Sequence, residues 1–273
     1  MPSYRGHLDK MPTALAAPVR YWLALDELRV PLNELLGEPL RIRHVGAIHC
    51  CHCGRATKKS FAEGYCYPCF RKLAECDLCV LSPERCHFAD GTCRDPEWAA
   101  GFCMTEHLVY LANSSGLKVG ITRDGQVPTR WIDQGATQAL PIARTRTRQQ
   151  AGFIEAALRR EVRDTTDWRA MLKGSAPPVD LAAARDRLLE CFAPEFAQLT
   201  ERFGIQAIQP LAAEAVAIDY PVRAYPLKVN AWSFDRTPEV CGRLLGIKGQ
   251  YLIFDSGVLN VRKFTAYEIE VEI

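Results

Sequence analysis

The sequence predicts an α+β fold divided into parts, and three observations carry that prediction. Short strand-like runs occur at both ends of the chain. Ten of the twelve cysteines fall between Cys50 and Cys103, and a hairpin signal near residue 110 is followed by a third strand and a helical pattern. At 273 residues with 48% hydrophobic composition, the chain fits two or three domains with ordinary cores. The expected division is a β-rich domain formed by residues 1–45 together with 205–273, a cysteine-rich module at 46–105, a three-stranded antiparallel sheet with flanking helices at 106–170, and a helical linker at 171–204.

From residue 1 to about 45, turn-separated apolar pieces such as Tyr21-Trp22-Leu23 and Pro39-Leu40-Arg41-Ile42-Arg43, punctuated by Gly37 and Gly46, suit short strands better than helices. At the far end Tyr251 to Phe254 precedes an Asp255-Ser256-Gly257 turn, and the run Val258 to Lys263 follows. The last residues alternate, with Glu268, Glu270 and Glu272 on one face and Ile269, Val271 and Ile273 on the other, as a half-buried antiparallel strand requires. Neither end holds enough strands to be stable alone, so the two are expected to combine.

The chain has no run of eighteen apolar residues and no signal-peptide order at its start, so a soluble, cytoplasmic protein with no membrane partner is expected. In a reducing compartment a dense cysteine block is a metal site rather than a disulfide framework. Cys50-x-x-Cys53 and Cys66-x-x-Cys69, twelve residues apart, have zinc-ribbon spacing, in which two knuckles close a tetrahedral four-thiolate site. Gly54 after the first pair and Pro68 inside the second suit tight knuckles. Cys51 is an extra thiol; His49 and His52 are substitutes that the four cysteines outrank. Cys76, Cys79, Cys86, Cys93 and Cys103, with His87 and His107 nearby, offer five thiols for the four positions of a second site. Two structural Zn2+ ions are therefore expected, with an iron-sulfur cluster as the alternative for the second site. Structural zinc supplies about 10 to 16 kcal/mol of apparent folding energy. Cys191 and Cys241 stand alone and read as buried small apolar residues.

Arg55, Lys58, Lys59 and Phe61 on the first knuckle, with Arg71 and Lys72 after the second, mix cations and aromatics on a metal-held loop. That mixture suits nucleic acid, although a solvated basic loop has the same composition. The net charge of +2 decides no partner, so local charge must.

Leu108 to Ala112 and Leu117 to Thr122, separated by Asn113-Ser114-Ser115-Gly116, read as a β-hairpin. Val109, Leu111, Val119 and Ile121 fall on one face; Tyr110, Lys118 and Thr122 share the other around the small Gly120, a polar floor with room above it. A short helix from Val127 to Gln134 has Pro128 near its start and Gly135 past its end. Ala139 to Thr145 supplies a third strand. Thr147 and Gln150 form a capping box that opens a helix from Arg148 to about Val162. Its apolar stripe is Ala151, Ile154, Leu158 and Val162, with Glu155 on the margin and free to pair with Arg159 in solvent. Arg144, Arg146 and Arg148 offer a backbone track into the same helix. Lys173 to Pro178 is a linker to two packing helices, Leu181 to Cys191 and Pro194 to Phe203, while Glu161, Asp164 and Asp167 read as solvated charges. No nucleotide-binding loop and no internal repeat is present.

Tyr110, the run Lys118-Val119-Gly120-Ile121-Thr122, Arg130 and Glu155 occur in an order and spacing that resembles the GIY-YIG nuclease superfamily, over about sixty of the 273 residues. The resemblance implies a metal-dependent endonuclease acting on DNA or RNA. Glu155 would hold Mg2+, Arg130 would contact the scissile phosphate, Tyr110 would position water, and Lys118 would neutralise a nonbridging oxygen. Two positions depart from the pattern: Lys118 replaces the second tyrosine, and Gln134 stands where many active members place a histidine. A catalytically silent, zinc-containing nucleic-acid-binding protein is the rival expectation, and a metal-held protein-interaction scaffold the third. The cysteine block and the Gly-Ile-Lys-Gly-Gln-Tyr run at 246–251 also make the whole chain similar to the bacterial family designated domain of unknown function 2797, which carries no established activity. Nothing in the sequence sets the oligomeric state.

Overall fold

The computed structural model describes residues 3–273. Its strands are β1 (Ser3–Asp9), β2 (Thr13–Ala14), β3 (Arg20–Leu25), β4 (Leu28–Pro31), β5 (Pro39–Ile48), β6 (His107–Asn113), β7 (Leu117–Arg123), β8 (Gln138–Thr145), β9 (Ile208–Pro210), β10 (Val216–Ala217), β11 (Glu239–Lys248), β12 (Tyr251–Phe254), β13 (Val258–Asn260) and β14 (Tyr267–Glu272). Its α-helices are α1 (Tyr67–Lys72), α2 (Leu78–Leu81), α3 (Pro96–Phe102), α4 (Thr129–Asp133), α5 (Arg148–Leu158), α6 (Trp168–Met171), α7 (Leu181–Cys191) and α8 (Ala193–Phe203). The whole is a mixed α+β structure with two antiparallel sheets. Among the described residues no helix is long and apolar enough to cross a membrane.

Both ends of the chain build one nine-stranded sheet, in the order β13-β12-β11-β5-β14-β1-β3-β2 with β4 also on β3. The alternation at the end of the chain explains why β14 can occupy its middle. Ile269 and Val271 are buried, while Glu268, Glu270 and Glu272 turn outward to Arg5, Arg43 and Arg41 of the flanking strands. Such exposed pairs are weak, so the apolar face fixes the strand and its register, and the charges add only a preference for it. Strand β5 runs on to Ile48, past residue 45, where the sequence reading ended the first segment.

The second sheet has the order β10-β8-β6-β7, with β9 also on β8. Residues 208–210 and 216–217 therefore extend this sheet and not the terminal one, a correction to the expected grouping of 205–273. These strands are two and three residues long, too short for alternation to show which sheet they join. Helices α7 and α8, expected as packing helices within the 171–204 segment, bring Leu181, Ala184, Leu188 and Phe192 into the core beneath this sheet. Helix α5 ends at Leu158, one turn earlier than its apolar stripe suggested, and Val162 completes the stripe from the turn that follows.

The two faces of β6 and β7 separate as the period of two requires, but both are covered. Val109, Leu111, Val119 and Ile121 pack on Ala151, Ile154 and Leu158 of α5. Tyr110 and Ala112 pack into one continuous core with Trp131 and Ile132 of α4 and with Leu8, Met11 and Tyr21 of the terminal sheet. The anticipated polar floor is thus largely a buried wall: Tyr110 is fully buried, and Lys118 and Thr122 are 3% and 5% exposed. Helices α5, α7 and α8 lie on one side of the smaller sheet, and α4 with the terminal sheet on the other.

Candidate active cleft and metal sites

One cleft of about 400 Å3 lies where all three parts of the chain meet. Lys10 and Arg262 come from the terminal sheet region, Val80, Pro83 and Phe102 from the cysteine-rich segment, and Tyr110, Gly120, Thr122, Arg123, Arg130, Gln134, Arg148, Glu155 and Asp164 from the middle of the chain. Gly120 is required by a close approach. It sits opposite Tyr110 in the β6–β7 pairing, and a Cβ there would lie 2.6 Å from the Tyr110 hydroxyl. The absence of a side chain lets the tyrosine ring lie across the neighbouring strand, with its hydroxyl donating to Gln134 Oε1 at 2.8 Å.

Of the four sequence-predicted catalytic residues, Tyr110, Arg130 and Glu155 line the cleft. Lys118 stands behind its wall, with Nζ donating to Thr166 Oγ1 at 3.3 Å, yet it feels the charges of Arg130, Glu155 and Asp164. Burial pushes the Lys118 ammonium down to about 8 and the Tyr110 phenol up to about 12. Burial also raises the Glu155 carboxyl above its ordinary value, opposed by Arg159, reinforced by Asp164, and opposed again by Arg148 and Lys118. Glu155 is therefore neither solvated nor simply paired with Arg159. Arg159 instead bonds Asp164 at 3.2 Å and reaches Glu84 at 3.5 Å.

Helix α4, which carries Arg130, is held by the Gly-Ile-Lys-Gly-Gln-Tyr segment. Gln250 Nε2 donates to Asp133 Oδ1 at 2.9 Å, Lys10 Nζ donates to Asp133 Oδ2 at 2.8 Å, and Gln250 also bonds both backbone groups of Met11. Helix α5, which carries Glu155, starts with the predicted capping box between Thr147 and Gln150. Asp164, which reads as a solvated charge in the sequence, and Arg123, which has no role there, both line the cleft, as does Arg148 of the expected backbone track. Arg123 and Arg148 both stack on the Phe102 ring, at 4.5 and 5.5 Å from its centre, and Arg148 donates to the Val80 carbonyl at 2.7 Å. Arg144 is engaged by Glu106 and Asp124 and Arg146 by Gln206, so Arg144, Arg146 and Arg148 do not form one continuous track. The capping box marks the start of α5 in the sequence, but the Val80 carbonyl, the Cys103 carbonyl and the Phe102 ring that hold Arg148 come from the cysteine-rich segment.

The first cysteine set converges. Cys50, Cys53, Cys66 and Cys69 place their sulfurs within 4.8 Å of one another. The Cys53 and Cys66 sulfurs are 3.8 Å apart, close to the ~3.8 Å separation that two bonds of about 2.3 Å at a tetrahedral zinc would give. Gly54 at φ +66 closes the first knuckle, and Cys66 leads into α1 for the second. Burial raises the Cys50 thiol, but backbone NH groups of Cys66, Cys53 and His52 outweigh it and bring the value to about 6. This cluster can hold a metal ion. Cys51 stands outside it, pushed up to about 11 by burial.

The second set is looser. Cys79, Cys86, Cys93 and Cys103 line one small pocket together with Asp77 and His87. Close approach within it is limited to Asp77, Cys79 and His87. Cys76 does not line this pocket; its charged neighbours include Glu75 and Arg94. His107 is fully buried, bonds the Thr105 carbonyl at 2.8 Å, is pushed down to about 4 by burial, and stands outside the clustered ligand groups. Cys191 and Cys241 are exposed, against expectation, because each takes an outward position of its helix or strand. Arg55, Lys58 and Lys59 are exposed; Lys58 and Lys59 border a groove with Lys263, next to the cleft residue Arg262.

Comparison with curated proteins and with solved structures gives no significant match. A family model described as protein of unknown function (DUF2797) matches residues 37–269, and the chain belongs to that family.

Proposed function

We propose that the cleft hydrolyses phosphodiester bonds in DNA or RNA with the help of a divalent cation. The observation that carries this reading is the meeting of Glu155 with Arg130, Arg148 and Tyr110 in one cleft. The fit to Mg2+ lies in the donors: Glu155 and Asp164 are hard oxygen ligands that face the same cleft. Mg2+ bound there supplies Lewis-acid activation of the phosphoryl group and of a water. Arg130 and Arg148 bind the phosphate oxygens, and the Phe102 ring helps to orient Arg148. Tyr110, hidden behind the surface and bonded to Gln134, orients the wall and does not transfer a proton itself, since its pKa of about 12 lies far from neutrality. Lys118 adds positive potential from behind without touching substrate. The order Tyr110, Gly120, Arg130, Glu155, which resembles the GIY-YIG nucleases, supports the same reading. The groove beside Lys58, Lys59 and Lys263 provides a route for the backbone toward Arg262 and the cleft.

A specific observation favours a second reading, binding without hydrolysis: both departures from the nuclease pattern are occupied internally, Lys118 by Thr166 and Gln134 by Tyr110. Incubation of labelled single- and double-stranded DNA and RNA with Mg2+ or with chelator separates the two. Mg2+-dependent cleavage supports the nuclease. Salt-sensitive binding with no cleavage under any divalent ion supports the silent binder, and absence of both leaves a protein-interaction scaffold.

For the cysteine-rich module we propose structural zinc on Cys50, Cys53, Cys66 and Cys69 and a second zinc on Cys79, Cys86, Cys93 and Cys103, with Cys76 spare. Metal analysis is expected to return these two thiolate-held zinc ions per chain. Iron and visible colour would instead assign the second set to an iron-sulfur cluster.

A further inference from the structure

Away from the cleft, and independent of the reading given to it, three side chains from distant parts of the sequence meet on the solvent-facing side of the terminal sheet. His7 on β1 lies directly opposite Glu268 on β14, and His49 follows the last residue of β5, the strand on the other side of β14. The ligand atoms of His7, His49 and Glu268 all lie within 4.8 Å of one another. We propose that they form an open site for a divalent ion of the zinc class.

Four features make this a built site. First, a carboxylate stands behind one ligand: Asp26 Oδ1 takes His7 Nδ1 at 3.0 Å, while Oδ2 accepts the His7 backbone N–H at 3.0 Å. Such a partner fixes the imidazole tautomer with Nδ1 protonated and leaves the Nε2 lone pair for a cation. Second, Asp26 is placed by the tight β3–β4 turn, at φ +49, and Gly6 makes room for it, since a Cβ there would lie 2.6 Å from Asp26 Oδ2. Third, the register between β14 and β5 shifts between Tyr267 and Ile269, at Glu268 itself, with Gly46 at φ +98 on the facing strand. Irregularities of this kind re-aim side chains beside functional sites. Fourth, His7 Nε2 and His49 Nδ1 are 2.7 Å apart. With His7 Nδ1–H turned to Asp26, His49 Nδ1–H donates to His7 Nε2, so the two rings already aim these nitrogens at one point, where a metal ion would replace the shared proton.

Two histidines and a glutamate with the fourth position open are a zinc ligand set. Arg5 bonds Glu268 through Oε1, which leaves Oε2 for the ion. Tetrahedral bonds of about 2.0 to 2.1 Å would set the two nitrogens about 3.3 Å apart, so binding spreads the rings by roughly half an ångström. This site is invisible in the sequence, because its residues are 42 and 219 positions apart (49 − 7 and 268 − 49).

The test uses the full chain with its cysteines loaded with zinc, titrated with Co2+ at neutral pH. The site predicts one further equivalent of Co2+ with visible d–d absorption and no thiolate charge-transfer band. His7→Gln and Glu268→Gln should lose that equivalent while keeping the zinc on the cysteines, and Asp26→Asn should weaken it about 10- to 100-fold. His49 is left unchanged because it adjoins Cys50. If wild type binds no extra Co2+, the rings share a proton and the proposal is overturned. Equal Co2+ uptake by wild type and both single variants would overturn it as well.

Discussion

Gly120 shows how much one absent side chain decides. Its Cβ would fall 2.6 Å from the Tyr110 hydroxyl, so Gly120→Ala must displace a ring that is packed on both sides. A loss of about 1–3 kcal/mol is expected, measurable as a lower denaturant midpoint with unchanged m-value. Lys248 makes a pH-dependent prediction. It is fully buried beneath Tyr220 and Tyr225, donates to the Gly174 carbonyl at 3.0 Å, and burial pushes it down to about 8. Below that value the folded state carries a buried charge. Between about 8 and the ordinary value of 10.5 the unfolded state binds more protons, so stability rises with pH. The stability of Lys248→Met relative to wild type should therefore fall by up to about 3 kcal/mol as pH is raised through that window. A difference flat in pH would contradict the burial assigned to Lys248. At this scale the sequence was an uneven guide. Tyr110, Arg130 and Glu155 could be named from their order, but the burial of Lys118 and the approach of Asp164 and Phe102 depend on neighbours distant in the chain.

At the scale of elements, the contact between α5 and the cysteine-rich segment joins the cleft to the metal sites. Gly152 lies inside α5, where alanine would ordinarily add about 0.5–1 kcal/mol of stability. Here a Cβ would meet Pro83 Cβ at 2.6 Å and the Glu84 backbone nitrogen at 2.7 Å, so Gly152→Ala should destabilise instead, and thermal unfolding gives the sign directly. The knuckles place a second condition on the same contact. Removing metal from Cys50, Cys53, Cys66 and Cys69 should melt the segment that supplies Val80, Pro83 and Phe102 to the cleft. Faster proteolysis within 50–103 after chelation, with restoration by Zn2+, is the expected result. Elements with strong local signals were legible: the hairpin, the capping box at Thr147, the zinc-ribbon spacing and the alternation of β14. The short strands β9 and β10 were not, because two or three residues carry no period and their partner β8 selects them.

For the whole molecule, one core couples regions that the sequence separates by more than 200 residues. Leu8 and Ile269 of the terminal sheet share it with Tyr110 and Trp131 beside the cleft. Truncation at about residue 220 removes β11 to β14, so it should unfold the cleft and not merely trim an appendage; an intact, equally stable product of limited proteolysis ending there would contradict this. The pairing of the termini could be anticipated from two half-complete sets of strands. That the joined sheet would cover the Tyr110 face could not, since an alternating strand does not say what lies against it. The proposal that follows from this architecture is that three parts of the chain close one phosphodiesterase cleft around Glu155. Its most direct measurement is the rate of Mg2+-dependent nucleic-acid cleavage by Glu155→Gln, which preserves shape and removes charge. The account predicts cleavage by wild type, a fall of at least about 100-fold in the variant, and unchanged salt-sensitive binding. Full Mg2+-dependent activity in Glu155→Gln would contradict it.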